Sequence, residues 1–187
     1  MDYRKEFLKA LDYSEQKGFA VPMWCQLRPP LEIIPCLNPT TRTVLDNLFD
    51  KLMKESGPPL FIGQCMNVSR IVFEWIKRLM GSESAITLGW VEDRENKLFR
   101  FTSDDLDRWI GEGISDPLKM NIHVWITLPG LEIVDFSLPV SINHFDSSYP
   151  SIPIIDRWEK SRYRYHPIAV CNDFPRWLGL KEFHHSF

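Results

Sequence analysis

The most restrictive feature of this chain is a change of hydrophobic period near its middle. From Cys65 to Met80 the pattern is helical without interruption, with Val68, Ile71, Val72, Trp75, Ile76 and Leu79 at three- and four-residue steps. That spacing gathers side chains on one face of a helix and predicts that the helix is largely buried. Gly81 ends it, and from Ser84 the period becomes that of strands: 84–91, 98–102, 121–128 and 131–135. A buried helix followed by short strands needs an antiparallel sheet to pack against. The expected fold class is therefore α+β, one helical layer beside that sheet.

The remaining segments fit around this core. Residues 2–17 carry Tyr3, Phe7, Leu8, Leu11 and Tyr13 at helical spacing and meet Gly18. Between Phe19 and Pro39, four prolines at 22, 29, 30 and 35 predict an ordered wrap without long regular elements, with 31–34 a candidate edge strand. A second helix is expected to be capped by Thr40 or Thr41, to bury Val44, Leu45, Leu48, Phe49, Leu52 and Met53, and to close at Gly57. The polar run 92–97 predicts a hairpin. Ser103 followed by Asp104, Asp105 and Asp107 reads as a helix start, its acids compensating the dipole, with the helix ending near Ile110 and a loop beyond. After Ser137 the prolines at 139, 150 and 153 predict irregular chain until a last strand, 163–170, and an aromatic tail.

A length of 187 residues suits a single domain, 1-187, large enough to bury roughly 70% of its unfolded surface. Within it we distinguish a helical and Pro-rich part, 1-57, a core, 58-138, and a C-terminal extension, 139-187. A net charge of −3 gives no electrostatic reason to expect nucleic acid or an anionic membrane as partner. No apolar run approaches the roughly 18 residues a membrane span needs. The start, Met1-Asp2-Tyr3-Arg4-Lys5-Glu6, lacks the apolar stretch of a signal peptide, so the expectation is cytoplasmic, with a specialised secretion route left open.

Four cysteines stand at 25, 36, 65 and 171 without zinc spacing, so neither a metal nor a cofactor is expected. Cys25, Cys36 and Cys171 lie in apolar surroundings and read as small buried hydrophobes. Cys65 differs, because Gly63-Gln64 precedes it and a helix follows. A thiol in the first turn of a helix meets unpaired backbone N–H groups and the positive end of the macrodipole, and becomes thiolate more readily. The candidate base is His123, in the strand Asn121-Ile122-His123-Val124-Trp125, and the candidate acceptor that orients it is Asp135 in the next strand. His144, in a polar loop, His166, before Pro167, and the terminal His184 and His185 are weaker candidates.

Gly63-Gln64-Cys65 ahead of a helix, His123-Val124-Trp125 in a strand and Asp135 in the following strand resemble, in that chain order, the transglutaminase-like branch of the papain-like cysteine protease superfamily. The resemblance spans about 58–138. It implies a papain-like core in which the helix bearing Cys65 packs on an antiparallel sheet. It also implies a thioester mechanism, with Cys65 as nucleophile, His123 as general base and then acid, and Asp135 as orienter. The Cys65 N–H would be one oxyanion donor. Two departures stand out. The chain between Cys65 and His123 holds an insertion, 92-119, that could act as a lid or recognition element. Gln64 adjoins the cysteine, so it receives no oxyanion role. The expected function is a cysteine peptidase or amidase, favoured over a transamidase, acting on a peptide, protein or small amide or acyl substrate. The alternatives are a catalytically silent peptide-binding module of the same fold and an acyltransferase using a thioester donor.

Alternation sets a condition on this site. With a two-residue Pro129-Gly130 loop, Leu128 would pair with Leu131 and His123 with Phe136, putting His123 and Asp135 on opposite faces. The site therefore predicts one residue of slip, as a three-residue loop or a bulge near Gly130.

Overall fold

The computed structural model describes residues 2–26, 36–81, 84–112 and 120–177. Helix α1 (Tyr3–Lys17) is capped by Asp2, which accepts from the Lys5 N–H, and ends at Gly18 in the left-handed conformation. A short turn of helix, α2 (Met23–Gln26), follows inside the stretch expected to be irregular. The candidate strand 31–34 lies outside the described residues.

Helix α3 (Pro39–Ser56) begins earlier than expected: Asn38 Oδ1 accepts from the Thr41 N–H at 2.9 Å. Pro39 occupies the first helical position, where its missing N–H loses nothing, so the cap is Asn38 and not Thr40 or Thr41. A single 3-10 turn, Pro58–Leu60, leads toward α4 (Cys65–Met80), which Gly81 closes. Helix α4 buries Val68, Ile71, Val72 and Ile76, but Leu79 near its end is exposed.

The sheet is antiparallel: β1 (Ala85–Asp93), β2 (Asn96–Leu98), β3 (His123–Thr127), β4 (Glu132–Asp135), β5 (Ile154–Arg157) and β6 (Arg164–Val170), in the order β2-β1-β3-β4-β5, with β6 also on β1. The first hairpin is tighter than expected. Asp93 pairs with Asn96, Arg94 takes a positive φ in the turn, and β2 stops at Leu98 instead of running to residue 102. Helix α5 (Ser103–Glu112) follows. Two elements depart from the expected irregular region. Helix α6 (Ser137–Phe145) tolerates Pro139 because its first turn needs no proline N–H, and β5 adds an edge strand beside β4. A last short helix is α7 (Phe174–Trp177).

Helices cover both faces of the sheet, not one. On one face Leu45, Leu48, Phe49 and Leu52 of α3 and Val68, Val72 and Ile76 of α4 pack with Val124, Ile126 and Val134. On the other face, Tyr3, Phe7 and Leu11 of α1 pack with Trp125, Ile133, Tyr165 and Val170. Strand alternation sorts them, because Val124 and Ile126 point one way and His123, Trp125 and Thr127 the other. Helix α1 is also tied by polar bonds. The Trp125 indole N–H donates to the Tyr3 hydroxyl at 3.0 Å, and that hydroxyl lies 2.7 Å from Thr127 Oγ1. Room for the Trp125 ring comes from Gly89, where a Cβ would stand 2.6 Å from the indole.

Candidate active site

The site is assembled where α4 begins against the start of β3. Gly63 takes a φ of +66° and Gln64 is the residue before the helix. The first helical bond runs from the Val68 N–H to the Gln64 carbonyl at 2.9 Å. The N–H groups of Cys65, Met66 and Asn67 therefore have no acceptor within the helix. The Gln64 side chain does not cap; its Oε1 accepts from Asn67 Nδ2 at 2.7 Å.

Two side chains of α4 fix its register on β3. The Ser69 hydroxyl donates to the Val124 carbonyl at 2.9 Å, and the Cys65 thiol points to the Ile122 carbonyl at 3.7 Å. Four helical residues rise about 6 Å and two strand residues about 6.6 Å, so one helical turn matches one strand repeat. The match sets Cys65 beside the start of β3, within reach of the His123 imidazole. The thiol is half-buried.

His123 and Asp135 share a face because the β3–β4 loop has three residues. Ile126 pairs with Val134 and Thr127 with Ile133, while the Leu128 N–H donates to the Glu132 carbonyl at 2.9 Å. Pro129 and Gly130 form the turn, and Leu131 takes the left-handed conformation at φ +59°. A leucine there is strained by about 1–2 kcal/mol; its complete burial anchors it. This is the slip that the alternation argument requires.

His123 Nε2 donates to Asp135 Oδ2 at 2.6 Å, with both residues 2% exposed. An ionised carboxylate requires the proton on Nε2, which leaves Nδ1 as the ring nitrogen for Cys65. Asp135 is fully used. Its Oδ2 also accepts from the Tyr165 hydroxyl at 2.9 Å, and its Oδ1 from the Ser137 N–H, the Ser137 hydroxyl and the Leu138 N–H at 3.0, 3.2 and 3.1 Å. The carboxylate thus supplies acceptors for the first turn of α6 as well as for His123.

Burial opposes both charges of this pair, but their mutual attraction prevails. Asp135, with a further contribution from Cys65, holds the His123 imidazole above its ordinary range. His123, the Leu138 N–H and the Tyr165 hydroxyl hold the Asp135 carboxyl below the usual carboxylate range. Burial, then the charge of Asp135, pushes the Tyr165 phenol well above its ordinary value, so it stays a donor.

The other sequence candidates do not join this group. His144 is exposed. His166 stacks flat on Trp90, with Nδ1 3.0 Å from Glu6 and Nε2 3.4 Å from Glu92. His184 and His185 lie outside the described residues. Cys25 and Cys171 are buried, but Cys36 is only half-buried and lies beside Glu132. Among the described residues no group of three or more His, Cys, Asp or Glu side chains is arranged to hold a metal ion, and no helix is long and apolar enough to cross a membrane.

Sequence reasoning missed Tyr165 and Phe99, which touch this group, and Ser69, which holds α4 on β3. Tyr165 falls within the expected strand 163–170, but no sequence signal pairs it with Asp135. Phe99 follows β2 directly, and its ring lies 5.3 Å from the His123 ring. Comparisons with known protein families, with curated proteins and with solved structures found no match to this chain.

Proposed function

We propose that this chain is a transglutaminase-like cysteine enzyme that cleaves amide bonds through a thioester on Cys65, and that α4 with β1, β3 and β4 is its papain-like core. The observation that carries the reading is the 2.6 Å bond between His123 and a fully engaged Asp135, with the other imidazole nitrogen left for a thiol at a helix start.

In this reading the Cys65 proton resides on His123 Nδ1, and the thiolate attacks the carbonyl carbon of an amide. The developing oxyanion meets the Cys65 N–H, which has no acceptor in the helix. His123 then protonates the leaving nitrogen, the C–N bond breaks and a thioester remains. Water attacks the thioester while Nδ1 takes its proton, the C–S bond breaks, and the acid departs as the proton-sharing pair is restored. An amine in place of water would give transfer from the same intermediate. Asp135 keeps Nε2 protonated and the ring oriented throughout.

The test is iodoacetamide alkylation of each cysteine against pH, read by mass spectrometry, on the native protein and on His123→Ala. The expected result is that Cys65 alone reacts well below pH ~8.5, the ordinary thiol midpoint, and loses that reactivity in the variant. Equal behaviour of Cys65 in both proteins would leave a fold without the chemistry and favour a silent peptide-binding module.

A further inference from the structure

We infer that Phe99 is a positioning residue for His123, its ring fixing the plane of the imidazole and keeping water from the His123–Asp135 bond. The inference rests on the proposed use of His123 as acid and base, and it assigns a task to the insertion between Cys65 and His123.

Three observations converge. The Phe99 and His123 rings are 5.3 Å apart and inclined by 26°, while the Trp125 ring flanks the imidazole at 5.9 Å and 23°. Trp125 is fully buried, whereas Phe99 is half-buried and follows an edge strand. Phe99 is thus the cover nearer solvent. Second, Phe99 adopts the left-handed conformation at φ +58°. A side chain there is disfavoured and persists only where its surroundings over-determine it. Third, the chain changes sides of the sheet at this point. Phe99 packs with the α1-side cluster, while Phe101 packs with the α4-side cluster. The Asn121 amide donates to the Arg100 carbonyl at 3.1 Å, tying this crossing to the residues that lead into β3.

The chemistry explains why a flat cover matters. Nδ1 must face Cys65 while Nε2 faces Asp135, and rotation of the ring about its χ2 torsion breaks both relations at once. A ring packed on the imidazole face blocks that rotation. Excluding water also preserves the strength of a charged bond that solvent would screen. Among the described residues, the titratable groups facing His123 are Cys65 of α4, Asp135 of β4 and Tyr165 of β6.

The experiment compares native protein with Phe99→Ala, Phe99→Gly and Phe99→Tyr. One readout is the rate of Cys65 alkylation against pH; the other is the protonation and tautomer of the His123 ring from its nitrogen NMR shifts. Glycine accepts the positive φ, so it removes the strain together with the ring. The expected result is that Ala and Gly both slow Cys65 alkylation near pH ~6 by about tenfold to a hundredfold and shift His123 toward ordinary imidazole titration, while Tyr preserves both. Phe99→Leu, apolar but not flat, carries the same expectation where Ala fails to fold. A native pH profile and unchanged His123 shifts in Ala would overturn the inference. If native Cys65 shows no His123-dependent reactivity, the functional reading falls, and the NMR shifts alone decide the role of Phe99.

Discussion

Strand β4 carries two buried carboxylates three residues apart, and each has a cysteine nearby. Asp135, on the α1 face, has hydrogen-bond donors on both oxygens, one of them His123, whose imidazole also interacts with Cys65. Glu132, fully buried on the other face, accepts from the Cys36 and Leu37 N–H groups through Oε1, while its Oε2 has no hydrogen-bond partner among the described residues. Cys36 lies beside that carboxylate. Burial first, and then the charge of Glu132, raises its thiol above the ordinary range. A carboxylate beside a thiol therefore suppresses the thiolate, whereas a carboxylate behind an imidazole promotes the imidazolium that a thiolate needs.

The largest expected effect comes from breaking the Asp135 side. Asp135→Asn should destabilise the protein by about 3–5 kcal/mol, because a buried pair loses one charge and the other remains. The pH dependence has a definite sign. His123, raised in the folded state, contributes fully below its unfolded value of 6.5 and less as pH climbs toward its folded value. Asp135, lowered in the folded state, contributes above its unfolded value of 3.8 and loses that contribution at lower pH. Urea unfolding should thus show the widest gap between native protein and variant from about pH 4 to 6.5; a gap independent of pH would contradict the ionic pairing.

Tyr165→Phe removes one donor from Asp135 without emptying the core. A loss of about 1.5–3 kcal/mol is expected, as for a buried hydrogen bond to a charged group. Thermal or urea unfolding indistinguishable from native would mean that the Tyr165 bond adds nothing. Glu132→Gln should have the smallest effect, under about 1 kcal/mol, since the amide oxygen retains the two N–H donors and the amide nitrogen replaces the oxygen that has no partner among the described residues. The same substitution should speed alkylation of Cys36 by removing the adjacent charge. A penalty for Glu132→Gln as large as that for Asp135→Asn would break the comparison between the two ends of β4.

Local information was sufficient for much of this protein. The apolar periods at 65–80 and along the strands, Gly18, Gly57 and Gly81 as helix stops, and the α+β class follow from short-range patterning, because burying one face of each element imposes a fixed spacing. The order of Cys65, His123 and Asp135 was legible too, as was the need for a slip at Gly130, since strand alternation admits no intermediate answer. Other features depended on contacts distant in sequence. Pro139 looked like a break but starts a helix whose N–H groups meet Asp135; the second helical layer depends on Tyr3 reaching Thr127; and Tyr165 and Phe99 approach His123 from separate parts of the chain. Sequence by itself determined the principal helices and strands and most of the residues they bury. Tertiary structure alone decided which buried polar groups meet, because hydrogen bonds and charges act over a few ångströms and the chain pattern does not encode that distance.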